Sequence, residues 1–192
     1  MEKDALTRSP SILLIGGSAG SLEVLLELVA SIRSARSYAL VIIIHRKSPE
    51  SRLVEVIQSR TALRVKEVEE KESILPGLIY IAPADYHLLI ESDRSFSLDY
   101  SEKVNYSRPS IDVSFELAAE LYGRDCAAIL LSGASADGAR GLQAIAAAGG
   151  CTIVQDPATA IVGFMPQSAL DIMQPDLVGD SRKMIEVITG WK

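Results

Sequence analysis

Hydrolytic acyl transfer needs a nucleophile, a base and a carboxylate, and this chain offers all of them where strands should end. Ser18 stands in the run Gly16-Gly17-Ser18-Ala19-Gly20, His45 closes Val41-Ile42-Ile43-Ile44-His45, and Asp137 and Asp156 each follow an apolar segment. A serine hydroxyl attacks an ester carbonyl when an imidazole removes its proton; a carboxylate beside the imidazole fixes its tautomer and stabilises its charged form. The serine lies in the pattern G-x-S-x-G, where a sharp strand-to-helix turn lifts the central hydroxyl out beside the first amides of the helix. Ser18 could equally cap the following helix or line a phosphate-binding turn. The chain has two histidines. His45 ends a strand, whereas His87 follows a turn and begins one, which reads as a structural position. Asp137 and Asp156 are not separated by spacing, since either could orient an imidazole or stabilise its own turn.

The elements that must carry these residues alternate. Residues 11–17 read as a buried strand and 21–32 as an amphipathic helix with Leu22, Leu25, Leu26, Val29 and Ile32 on one face. A second strand is predicted over 38–44, a helix over 50–59 and a short strand over 65–68. After the turn signal Leu75-Pro76-Gly77, the short runs 78–82, 87–91 and 96–100 suggest an antiparallel excursion. Helical spacing returns over 110–122, with Ser110 as N-cap. There follow a strand over 126–131, a helix over 139–148, a strand over 151–154 and helices near 166–173 and 181–188. Continuous apolar strands alternating with helices imply an α/β fold: a mainly parallel sheet covered on both faces, with a short antiparallel β excursion in mid-chain. In such sheets ligands collect outside the carboxyl ends of the strands, so Ser18, His45, Asp137 and Asp156 can converge.

Composition narrows the setting. At 192 residues the chain fits one α/β domain, expected over 11–192 behind a tail at 1–10. The net charge of -6 offers no basic stripe for nucleic acid. The longest apolar run, 39–44, is far too short to span a membrane, and no signal-peptide pattern opens the chain, so a cytoplasmic protein is expected. Cys126 and Cys151 read as reduced, core-facing thiols. A dinucleotide fold is excluded because G-x-G-x-x-G is missing and the second strand ends in His45 rather than an acidic residue. No Gly-Lys-Ser/Thr of a phosphate-binding loop occurs. The order Ser18, His45, Asp137 also departs from the Ser, Asp, His order of α/β-hydrolases.

Taken in order, the segments at 15–20, 41–45, 75–83, 105–113 (Asn-Tyr-Ser-Arg-Pro-Ser-Ile-Asp-Val) and 130–138 (Leu-Leu-Ser-Gly-Ala-Ser-Ala-Asp-Gly) resemble the catalytic domain of the bacterial chemotaxis protein-glutamate methylesterases, the CheB family. Ala148-Gly149-Gly150, Gln155-Asp156-Pro157 and Met165-Pro166 resemble that family's closing motifs. The resemblance covers roughly 11–178. It implies that Ser18 is the nucleophile, His45 the base and acid, and Asp137 rather than Asp156 the orienter. The implied reaction is hydrolysis of glutamate γ-methyl esters on the cytoplasmic helices of chemoreceptors with release of methanol, with deamidation of receptor glutamines as a companion activity. No metal or organic cofactor is implied. Amides near Ala19 and in the turn at 133–135, Ala134 among them, are candidates for an oxyanion hole.

The chain departs from many relatives at Ala19, where threonine is common, and at Ala134, where methionine is common. Arg46 and Lys47 replace Met-Pro and put two positive charges near the expected mouth, as an attraction for an acidic receptor helix or as solvated surface. The usual N-terminal receiver domain is expected to be absent, which leaves the mode of regulation open, with a separate regulatory protein as a candidate partner. A noncatalytic receptor-binding module and an esterase for small molecules outside chemotaxis are the alternative readings.

Overall fold

The computed structural model describes residues 2–33, 36–46 and 52–191, with side chains from residue 5 onward. In chain order the first half holds α1 (Glu2–Thr7), β1 (Ile12–Gly17), α2 (Leu22–Ser31), β2 (Ala39–Ile44), α3 (Leu53–Gln58), β3 (Arg64–Glu67), β4 (Leu78–Ile81), β5 (His87–Ile90) and β6 (Phe96–Asp99). The second half holds α4 (Ile111–Tyr122), β7 (Cys126–Leu130), α5 (Ala139–Ala147), β8 (Cys151–Gln155), α6 (Phe164–Leu170), β9 (Leu177–Gly179) and α7 (Ser181–Gly190). Seven strands join in the order β3-β4-β2-β1-β7-β8-β9, each neighbour pair parallel. β5 and β6 form a separate antiparallel pair.

Side chains alternate across a strand, so a sheet buried on both faces must be apolar at successive positions. β1 does this: Ile12 and Leu14 enter one core, Leu13 and Ile15 the other. The first core is closed by Ile111 and Phe115 of α4, Leu142 and Ile145 of α5, Met165 of α6 and Leu88 and Phe96 of the small sheet. The second is closed by Leu25, Leu28 and Val29 of α2, Ile57 of α3 and Met184 and Ile188 of α7. Each such fully buried side chain stabilises the fold by about 1.5–3 kcal/mol relative to exposure. Cys126 and Cys151 are buried free thiols in these cores, and burial pushes the Cys151 thiol up to about 12.

The differences from expectation have physical causes. The run at 78–82 was expected in the antiparallel excursion, but β4 pairs in parallel with β2 and β3 and only β5 and β6 are antiparallel. A turn signal cannot distinguish a hairpin from a crossover. The short β9 was not expected; it is a three-residue edge strand, too short for a periodic signal. On α2 the buried face is Leu25, Leu28 and Val29, with Leu22 46% exposed. Within 1–10, read as a tail, α1 packs on α7 and Leu6 O accepts from Trp191 Nε1 at 2.9 Å. The expected start of the helix at 50–59 lies outside the described residues, which show Leu53–Gln58.

Candidate active site

The central strands β2, β1 and β7 end side by side, and the residues that follow them form the site. β1 and β2 run in register to the pair Gly17 and Ile44, so Ser18 and His45 are the next positions on neighbouring strands, on the order of 5 Å apart. The ladder continues one step further, with His45 N–H donating to Gly17 O at 3.1 Å, while Ser18 N–H donates to Ser132 O at 2.9 Å just beyond β7. Ser18 thus sits between the two strands that lead to the other candidates.

The serine is presented, not consumed as a cap. Ser21 occupies the N-cap position of α2, and its N–H and Oγ–H both donate to Ser18 O, at 3.1 and 2.7 Å. The left-handed residue of the turn is Gly20 at φ +79°, where a Cβ would lie 2.6 Å from Ile161. That conformation and that contact both require glycine. Ser18 and His45 line one cavity of about 400 Å3 together with Arg46, Tyr106, Ser107 and Arg108. A second cavity of similar size, bounded by Asn105 to Ser107 and Ala134 to Ala136, adjoins it across Tyr106 and Ser107.

His45 Nε2 lies 2.7 Å from Asp137 Oδ2. Asp137 is fully buried, and its placement is fixed by α4: Ile111 N–H donates to Oδ2 at 2.6 Å, and Ser110 Oγ–H and Asp112 N–H donate to Oδ1 at 2.7 and 3.1 Å. The carboxylate therefore rests on the open amides and the positive end of that helix. Burial alone would push Asp137 up, but the bonds from His45, Ile111, Ser110 and Asp112 together hold it below the usual carboxylate range. An ionised carboxylate only accepts, so in the neutral imidazole Nε2 carries the hydrogen and Nδ1 the lone pair. Nδ1 lies 3.4 Å from Ser107 Oγ. Among the described residues the Ser18 hydroxyl makes no hydrogen bond, to His45 or to any other group.

A second carboxylate mirrors the first. Asp112, in the first turn of α4, accepts from Gly138 N–H and Gly141 N–H, both at 2.8 Å, at the start of α5. Asp137, just before α5, caps α4, and Asp112, in α4, caps α5. The helices approach closely because residue 141 is glycine, where a Cβ would lie 2.5 Å from Phe115 Cβ. Asn105 Nδ2 bridges the two carboxylates, donating to Asp112 Oδ2 at 2.9 Å and to Asp137 Oδ1 at 3.4 Å. Burial pushes the Asp112 carboxyl up, and the Asp137 charge adds to that, against lowering by the Gly141 and Gly138 amides and Arg140.

The remaining sequence candidates separate cleanly. Asp156 accepts from Ala158 N–H at 2.9 Å within its own turn and makes no contact with His45. His87 is buried, with Nε2 2.9 Å from Glu102 O and Nδ1 accepting from Ser110 N–H at 3.1 Å, a structural histidine. Arg46 is neither a solvated charge nor an open attractor: its side chain is 8% exposed, pairs with Glu67 and donates to Ala82 O at 3.0 Å. Lys47 lies outside the described residues. Gly133 N–H, within the suggested oxyanion turn, is committed to Val162 O at 3.0 Å, whereas the Ala19 and Ala134 amides donate to no acceptor among the described residues. Sequence reasoning gave no role to Asn105, Ser107 or Asp112. Their contacts with Asp137, His45 and the start of α5 span 25 to 62 positions of the chain, which no local pattern reports.

The family model described as CheB methylesterase matches residues 13–188. A protein of Leptospira interrogans, provisionally named protein-glutamate methylesterase/protein-glutamine glutaminase, is 39% identical over 176 residues, covering 91% of both chains. The protein-glutamate methylesterase/protein-glutamine glutaminase 2 of Pseudomonas aeruginosa is 37% identical over 87% of this chain, which spans 49% of that relative's length. The crystal structure of the Thermotoga maritima CheB methylesterase catalytic domain superposes with a TM-score of 0.85 at 32% identity, covering 94% of this chain and 98% of that one. The chain belongs to the CheB methylesterase family.

Proposed function

We propose that this chain is a serine hydrolase that removes the methyl group from glutamate γ-methyl esters on chemoreceptors, with Ser18 as nucleophile, His45 as base and acid, and Asp137 as orienter. The observation that carries the reading is the 2.7 Å bond between His45 Nε2 and Asp137 beside Ser18, which leaves Nδ1 as the base nitrogen. Ser18 Oγ attacks the ester carbonyl as Nδ1 takes its proton, giving a tetrahedral oxyanion for which the Ala19 and Ala134 amides are the candidate donors. Collapse breaks the C–O bond, and the Nδ1 proton goes to the departing methoxide, so methanol leaves and a glutamyl ester of Ser18 remains. Water then gives a proton to Nδ1, attacks that ester and regenerates Ser18 with a free glutamate. An amide leaving group on the same path converts glutamine to glutamate with loss of ammonia. The names of the relatives, which join methylesterase and glutaminase, support both outcomes.

The separation of Ser18 from hydrogen-bonding partners favours a second reading, a receptor-binding module without turnover. Free enzymes also hold such pairs loosely and tighten them on substrate. Methanol release from methylated receptor decides. Release by the wild type, abolished in a folded Ser18→Ala variant, is expected; equal release by both overturns the assignment, and none from either supports the binding module. Substituting small methyl esters for the receptor tests whether the substrate is a protein side chain.

Among the described residues no helix is long and apolar enough to cross a membrane. The receptor helices, the cytoplasmic location and a separate regulatory protein remain part of this proposal.

A further inference from the structure

Resting on the reading of His45 as base, we infer that Ser107 is a positioning residue that holds the imidazole's base nitrogen through both of its protonation states. Ser107 closes a two-residue turn: Val104 and Ser107 exchange backbone hydrogen bonds at 3.2 and 2.9 Å, with Asn105 at φ +50° and Tyr106 at φ +62° between them. Two successive left-handed residues define the tight hairpin turn that asparagine tolerates well and tyrosine does not. Tyr106 is 97% exposed and gains no packing in return, so the strain is held by the turn's other contacts. Those contacts are Asn105 Nδ2 on the two buried carboxylates and Ser107 Oγ on His45 Nδ1. The turn grips both the orienting carboxylate and the imidazole.

The chemistry of the hydroxyl suits the place. Ser107 Oγ lies 3.4 Å from His45 Nδ1 and also 3.4 Å from Asn105 O. A hydroxyl donates one hydrogen and accepts through its lone pairs. Toward neutral His45 in the substrate-free enzyme it donates to the Nδ1 lone pair, and it gives that lone pair up when the Ser18 hydroxyl turns to it. Once Nδ1 is protonated, it turns its hydrogen to Asn105 O and accepts from Nδ1–H. The ring therefore keeps a partner on each nitrogen in either state, Asp137 on Nε2 and Ser107 on Nδ1, and is not free to rotate while Ser18 is unbound.

The test reads ring-nitrogen chemical shifts of His45 in the substrate-free full chain at about pH 8.5, above the ordinary histidine range. In Ser107→Ala, the Nδ1 resonance is expected to move toward that of an acceptor nitrogen with no donor, and Ser107→Thr should restore it. The His87 resonances should stay in place as a control on folding, since its partners are Glu102 and Ser110. On substrate, kcat of Ser107→Ala should fall about tenfold, the loss of one hydrogen bond, with KM changed less than about twofold. An unmoved Nδ1 resonance, an unchanged kcat, or a threonine variant that behaves as alanine overturns the inference. If the wild type releases no methanol, the proposed reaction fails and the nitrogen shifts alone decide the role of Ser107.

Discussion

On one side of the cleft, Asp137 is fully buried and accepts from Ser110, Ile111, Asp112 and His45. On the other, Ser18 is partly exposed and its hydroxyl is committed to no partner among the described residues. The orienting half is bound into the helix starts of α4 and α5, so its geometry is inseparable from the stability of the fold. The reacting half projects from a strand end and carries chemistry without supporting structure. The difference teaches that substitutions on the two sides should fail differently, one through activity alone and the other through activity and stability together.

The sharpest break comes from Ser18→Ala. It should lower kcat by on the order of 10^5-fold or more while moving unfolding free energy by no more than about 0.5 kcal/mol. Methanol release and urea unfolding check the two halves of that statement. Asp137→Asn comes next, with kcat reduced by about 10^4-fold, because an amide can offer its NH2 to Nε2 and stabilise the wrong tautomer. Here stability should fall as well.

Acid titration sharpens the comparison within the buried pair. Asp137 has its folded pKa lowered, so its stabilisation is present above the unfolded carboxylate range and is lost as pH falls through the folded value. Asp112 has its folded pKa raised, so it favours the fold in acid and that contribution is lost as pH rises through the folded value. Below about pH 4, Asp137→Asn should flatten the acid-side loss of stability, and above about pH 4, Asp112→Asn should steepen it, as read by urea unfolding. Equal slopes in the two variants would contradict the assignment.

Asp112→Ala should cost about 2–3 kcal/mol by leaving the Gly138 and Gly141 amides buried without acceptors, while activity per folded molecule falls less than in Asp137→Asn. The smallest effect belongs to Arg46→Ala. Its guanidinium is 8% exposed and donates to Glu67 and to Ala82 O, so the loss should be about 1–2 kcal/mol, with methanol release per folded molecule falling less than in Asp137→Asn.

What could be read from the chain follows the same division. The apolar runs at 12–17 and 39–44 announce buried parallel strands, and with them the strand-end positions of Ser18 and His45. Ser110 was legible as the N-cap of α4, and its hydroxyl accepts from Val113 N–H at 3.4 Å. Its donation to Asp137 was not legible, because it depends on α4 and α5 crossing near their N-termini. The same limit kept Asp137 and Asp156 level in the residue pattern: both follow apolar strands, and only the α4 amides distinguish the carboxylate that is held at the histidine. The pairing of Arg46 with Glu67 was hidden for a related reason, since β3 and β4 had to join β2 in the sheet before those residues could meet.

The central claim is that Ser18 is the activated hydroxyl of this chain. Reaction with a fluorophosphonate, which phosphonylates a serine only when a base accepts its proton, followed by peptide mass spectrometry, tests it directly. The account predicts a single adduct on Ser18 that is lost in His45→Ala; no adduct in the wild type, or one on Ser107 instead, would contradict it.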